Sequence, residues 1–135
     1  MKLNAKSDPS ASQSVSASIL VVEDDLLNGF LIEETLHLAG HRVLGPAKTV
    51  PRALALLESC QVDAAILDLQ IQDQTSLLVA RRLDDLGIPW AFTTGHSSAE
   101  IPAQFEHIPV LKKPFSINNL LELTSDALGR RRGFS

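Results

Sequence analysis

The sequence predicts an α/β fold, a doubly wound parallel sheet built from five βα units. Three observations lead there. Between residues 19 and 128 short aliphatic runs alternate with longer segments of helical period, the pattern of strands joined by crossover helices. The run VDAAILDL (62–69) is apolar at consecutive positions, as a strand covered on both faces requires. Finally, 135 residues suffice for one domain with a real core and fall short of two.

The elements follow in order. ILVV (19–22) is the first strand, after which Leu27, Phe30, Leu31, Thr35 and Leu38 recur mostly three or four residues apart, with Gly40 placed to end a helix. RVLGPA (42–47) reads as a short second strand with a Gly-Pro stop. Thr49 caps a helix whose buried face is Ala53, Leu54, Leu57 and Cys60, and Pro51 is tolerated in its first turn. After the third strand, Thr75 or Ser76 opens a helix with Val79, Leu83 and Leu86 on its apolar face, closed by Gly87. IPWAFTT (88–94) is the fourth strand. SSAEIPAQFEH should carry a fourth helix, made short or irregular by Pro102 and weak periodicity. PVLKK (109–113) is the fifth strand, and Ser116 caps a last helix burying Ile117, Leu120, Leu121, Thr124 and Leu128.

Composition narrows the function classes. With 44% apolar and 21% charged residues the chain resembles an ordinary globular protein, and no apolar run approaches the roughly 20 residues of a membrane helix. Residues 1–17, rich in Ser and Ala, lack the apolar stretch of a secretory signal and read as a disordered tail. The domain spans 18–129, followed by a basic tail over 130–135. Between the tails lie 7 basic and 15 acidic residues, a net charge of −8, which argues against a nucleic-acid partner. The single cysteine, Cys60, forms no internal disulfide and points to a reducing cytoplasm.

In a parallel sheet with right-handed crossovers all strand C-termini meet at one rim, and ligands sit where the strand order reverses. That rim should gather Glu23-Asp24-Asp25 after strand one, Asp68 after strand three, Thr93-Thr94-Gly95 after strand four and Lys112-Lys113-Pro114 after strand five. Carboxylates about 4 Å apart repel by roughly 4 kcal/mol per pair at an effective dielectric of 20, so such a cluster calls for a cation or for protons. Oxygen ligands without Cys or a His trio favour Mg²⁺ over Zn²⁺. Asp68 then becomes a candidate nucleophile toward phosphorus, with Lys113 and Thr94 placed to offset charge on the phosphoryl oxygens.

The ordered set ILVVEDD, ILDLQ, FTTG and KKPF resembles the response-regulator receiver domains of bacterial two-component signalling (CheY-like) over about residues 18–129. The resemblance implies the flavodoxin-like strand order 2-1-3-4-5. It also implies Asp68 as phosphorylation site and Thr94 and Lys113 as its catalytic companions. Mg²⁺ would be held by Asp24 directly, by Glu23 through water, by Asp68 and by the Gln70 carbonyl, with Asp25 a neighbour. The chain departs from the family pattern in the LQIQDQTS stretch after Asp68 and at Val110, where the family carries an aromatic switch residue. FTTGH resembles the alphaproteobacterial receivers with a Phe-Ala-Thr-Gly motif, His96 standing for the aromatic that follows; the resemblance implies that Gln70 and His96 hold positions that influence water access to an acyl phosphate.

The function implied is that of a single-domain response regulator, phosphorylated by a sensor histidine kinase or a histidine phosphotransfer protein and acting through protein contacts or as a phosphate sink. It is not an enzyme beyond self-phosphorylation and autodephosphorylation. The alternative is a receiver-like interaction module that works without phosphorylation. A small-molecule enzyme is disfavoured, because no Gly-rich phosphate loop or Ser/His/Asp set is present. The donor histidine should meet the rim around Asp68 together with the first helix. The sequence assigns no oligomeric state, a homodimer included.

Overall fold

The computed structural model describes residues 16–72, 74–95 and 101–133. Most of the expected N-terminal tail and His96 lie outside them. Ala17, the last residue of that expected tail, is buried, and its carbonyl accepts from Arg42 N at 2.8 Å.

Five strands form one parallel sheet: β1 (Ser18–Val22), β2 (Arg42–Ala47), β3 (Ala64–Asp68), β6 (Trp90–Thr94) and β7 (Val110–Lys112), side by side in the order β2-β1-β3-β6-β7. Every neighbouring pair is parallel. Counting only these five, the order is the expected 2-1-3-4-5. The reversal point lies between β1 and β3, so their C-terminal ends, Glu23 and Asp68, flank the crevice where α/β sheets take ligands. All residues of β1, β3 and β6 are buried, because helices cover both faces: Leu20, Val22, Leu67, Trp90 and Phe92 share one core, and Ile19, Val21, Ile66, Leu36 and Leu120 the other.

β2 has the expected bounds, 42–47, its Gly-Pro pair included, with a register shift between Leu20 and Val22 of β1. Gly45 makes the irregularity feasible. Its φ is +104°, and a Cβ there would lie 2.5 Å from Ala47 N and 2.8 Å from Val21 O, space that only glycine leaves open.

Four α-helices are described: α1 (Leu26–Leu38), α2 (Val50–Ser59), α3 (Leu77–Leu86) and α4 (Ile117–Gly133). In α1 the expected face holds only at Thr35. Leu27, Phe30, Leu31 and Leu38 are exposed, while Gly29, Ile32, Thr35 and Leu36 pack inward. The helix is apolar around most of its circumference, and close approach decides the phase: a Cβ on Gly29 would lie only 3.3 Å from Pro46 Cγ, so the glycine face is the one that fits against β2. Thr49 caps α2 by accepting from Arg52 N at 3.2 Å, with Val50, Ala53, Leu56 and Leu57 buried and Leu54 and Cys60 only partly so. α3 buries Val79, Ala80 and Leu83 but exposes Leu86, and ends on Gly87 in the left-handed conformation. α4 buries Leu120, Leu123, Thr124 and Ala127 and exposes Ile117. It runs past the expected boundary at 129, and Arg130 Nη2 donates to Trp90 O at 3.1 Å. Gly129 weakens the helix by about 1 kcal/mol without ending it, and that bond ties Arg130 to the body.

In the segment expected to form the fourth helix, residues 97–100 lie outside the described ones and the rest makes a single 3₁₀ turn, Ala103–Phe105, consistent with Pro102 lacking a donor. Phe105 completes an edge-to-face cluster with Trp90 and Phe92, at centroid distances of 5.2 and 6.4 Å, and Trp90 Nε1 donates to Asp84 Oδ1 at 2.8 Å. Between β3 and α3 the chain folds into a small antiparallel hairpin, β4 (Gln70–Ile71) with β5 (Gln74–Thr75). Ile71 is buried and anchors it in the core.

Candidate functional site

Hydrophobic burial of β1 carries Glu23 inward with it, so that the first carboxylate after ILVV is 1% exposed. Asp25 has a different job. Its carboxylate accepts from Asn28 N at 2.8 Å and caps α1, offsetting the unpaired donors of the first turn. The separation of roles explains why three consecutive acids are tolerated: one is buried, one partly exposed and one spent on a helix.

The rim assembles as its residues suggested. Lys113 Nζ lies 2.8 Å from Glu23 Oε1 and 2.9 Å from Asp68 Oδ2. The lysine is placed by β7, whose register sets Lys112 beside Thr94, and by its own N–H, which donates to Thr94 O at 2.8 Å. Carboxylate oxygens of Glu23, Asp24 and Asp68 all lie within 4.8 Å of one another. Gln70 meets this group through its main chain, its N–H reaching Asp68 Oδ1 at 3.3 Å. Thr94 is buried at the end of β6, at the same rim. Its neighbour Thr93 is the ladder partner of Asp68, fully buried, and its hydroxyl has no hydrogen-bond partner among the described residues. Val110 opens β7, is 38% exposed and has no ring to turn inward.

Electrostatics follows from the burial. Loss of hydration and, secondarily, the Asp68 charge push the Glu23 carboxyl up to about 7, against the pull of Lys113 and of the Asp25 N–H, which donates to Glu23 Oε2 at 3.0 Å. Burial alone would lower the Lys113 ammonium, but Glu23 and Asp68 outweigh it and hold its pKa above the usual lysine range. One ammonium therefore balances two buried carboxylates incompletely, and Asp24 adds a third. An oxygen-only donor set with surplus negative charge fits a hard divalent cation.

The contribution sequence reasoning missed comes from Gln72. Its N–H donates to Asp24 Oδ2 at 2.7 Å across 48 residues, and its φ is +56°. The Gln-Asp pair carries no glycine or asparagine to announce a left-handed turn.

The comparisons agree with this fold. The model of the response regulator receiver domain matches residues 19–125. Among solved structures, SdrG from Sphingomonas melonis Fr1 is 34% identical with a TM-score of 0.75, the match covering 84% of this chain and 97% of that one. The response regulator PhyR from Brucella abortus is 29% identical with a TM-score of 0.76, covering 92% of this chain and 54% of PhyR, so this chain matches little more than half of that protein. A CheY-like receiver domain protein from Methanospirillum hungatei JF-1, at 22% identity and a TM-score of 0.81, shares the fold. No curated protein matches. No helix among the described residues is long and apolar enough to cross a membrane. With the family model spanning most of the chain and the acidic pocket in place, the chain belongs to the response regulator receiver domains of two-component signalling.

Proposed function

We propose that this chain is a response regulator that takes a phosphoryl group onto Asp68 from a phosphohistidine of a sensor kinase or phosphotransfer protein, with Mg²⁺ at the acidic pocket, and that it signals by protein contact or drains phosphate. One observation carries the reading: Lys113 bridges Glu23 and Asp68 at the sheet's reversal point, inside a three-carboxylate cluster. The 34% identity to SdrG over nearly the whole of that chain supports it.

An Asp68 oxygen attacks phosphorus in line, the N–P bond of the donor breaks, and the imidazole nitrogen keeps the electron pair. The product is an acyl phosphate. Later attack by water cleaves the O–P bond and returns the Asp68 carboxylate and inorganic phosphate. Glu23, Asp24, Asp68 and the Gln70 carbonyl would hold the Mg²⁺, which supplies positive charge to the phosphoryl oxygens. Lys113, already 2.9 Å from Asp68, neutralises charge that spreads as the group transfers, and Thr94 donates its hydroxyl to a phosphoryl oxygen. The Gln70 N–H on Oδ1 orients the nucleophile. The exposed apolar face of α1, next to the rim through Asp25, offers the donor a docking surface in Leu27, Phe30 and Leu31.

A phosphotransfer panel tests the proposal. Chain incubated with phosphorylated kinases or phosphotransfer proteins and Mg²⁺ should gain label from at least one donor, and Asp68→Asn should gain none. Failure with every donor, and with acetyl phosphate, would favour a module that binds partners unphosphorylated.

A further inference from the structure

We infer that Gln72 is a positioning residue for the cation site, acting through its main-chain amide. The inference rests on the Mg²⁺-dependent reading above and deepens it. Asp24 is the carboxylate of the cluster most open to solvent, half-buried where Glu23 and Asp68 are buried. An acid so placed swings freely unless something fixes it. Glu23 is fixed by the Asp25 N–H and by Lys113, and Asp68 by Lys113 and the Gln70 N–H. For Asp24 the fixing contact is the Gln72 N–H, at 2.7 Å, a charge-assisted bond at the short end of its range.

That amide points at Asp24 because of an unusual backbone. Gln72 is the one non-glycine residue with positive φ among the described residues, and it sits at the tip of the β4–β5 hairpin, where a tight turn calls for that conformation. A left-handed residue with a side chain is disfavoured and persists where its surroundings hold it. Here buried Ile71 ties the hairpin to the core, and the Gln70–Thr75 and Ile71–Gln74 pairing closes it around Gln72. A carboxylate has about four acceptor sites on two oxygens, so one bond to Gln72 leaves Asp24 able to ligate an ion. The hairpin, one of the places where the chain departs from the family pattern, thus orients a ligand carried by the segment after β1.

The test is Mg²⁺ affinity by calorimetry in three proteins. Gln72→Val, β-branched and averse to left-handed φ, should bind Mg²⁺ on the order of tenfold or more weakly than wild type, as losses of partners that orient metal ligands do. Gln72→Gly, which keeps the amide and relaxes the backbone, should bind within about twofold of wild type. Equal affinity in Gln72→Val, or a loss in Gln72→Gly as large as in Gln72→Val, overturns the inference. Because the valine variant could lose the hairpin, amide hydrogen exchange on metal-free protein gives an independent reading: the Gln72 amide should exchange slowly in wild type and faster in Asp24→Ala, and no change overturns the clamp. Wild-type protein that binds no Mg²⁺ overturns the functional proposal and this inference together, whereas wild-type binding with an unaffected Gln72→Val overturns this inference alone.

Discussion

Replacing Lys113 with alanine removes the only ammonium that contacts Glu23 and Asp68 among the described residues, and the cost can be worked from the site. The charge-assisted bond to Asp68 is worth about 1.5–3 kcal/mol. Glu23 adds less than its burial suggests, because it can take up a proton. With its pKa near 7, the ionised form at pH 8 is favoured over the protonated one by only about 1.4 kcal/mol, one pKa unit, and proton uptake caps the loss there. The variant should therefore lose about 3–4 kcal/mol at pH 8 in EDTA. At pH 6 Glu23 is mostly protonated in wild type, and the loss should be smaller by about 1 kcal/mol. The sign follows from linkage: a carboxyl whose folded pKa is raised disfavours folding increasingly as pH climbs from its unfolded value through its folded one, and removing Lys113 raises it further. Urea unfolding followed by the single tryptophan, buried Trp90, measures both values. A loss below about 1 kcal/mol at pH 8, or one that grows as pH falls, would refute the reasoning.

Other expectations follow from the same geometry. Gly45→Ala should cost about 2 kcal/mol or more in urea unfolding, since a Cβ would collide with Ala47 N and Val21 O at a φ of +104°. Leu27→Ser with Phe30→Ser on the exposed face of α1 should change stability by less than about 0.5 kcal/mol for each site while slowing phosphotransfer from a protein donor and leaving acetyl phosphate labelling intact; Leu36→Ala on the buried face should cost about 2–5 kcal/mol. Thr94→Ala should slow labelling by acetyl phosphate roughly a hundredfold, the usual loss when one preorganised donor is removed, with Mg²⁺ affinity near wild type.

The contrast between α1 and the rim shows what a single sequence can carry. ILVV, AILD and WAFTT are legible because a strand covered on both faces must be apolar throughout, and the rim chemistry follows once the strands are parallel. Glu23, Asp24, Asp68 and Lys113 come from three separated segments and still meet, since topology fixes which strand ends share an edge. The face of α1 is not legible. Leucines and Phe30 lie on nearly every side of it, so spacing favours no phase, and the deciding contact, Gly29 against Pro46, depends on a register between helix and strand that neither segment encodes alone. The loop after Asp68 is hidden for a related reason. Its hairpin is held by Ile71 in a core built mostly by distant residues, and left-handed Gln72 is imposed by that anchoring, not by its own preference.

The claim on which the account rests is that Asp68, fixed by Lys113 inside the acidic cluster, becomes an acyl phosphate. Reduction with borohydride after incubation with acetyl phosphate and Mg²⁺ tests it at the atom concerned, because an acyl phosphate is reduced to an alcohol and a free carboxylate is not. Mass spectrometry of the peptide containing residue 68 should show homoserine at that position, with none formed in EDTA. An unmodified aspartate at 68, or homoserine at Asp24 or Asp25 instead, would contradict it.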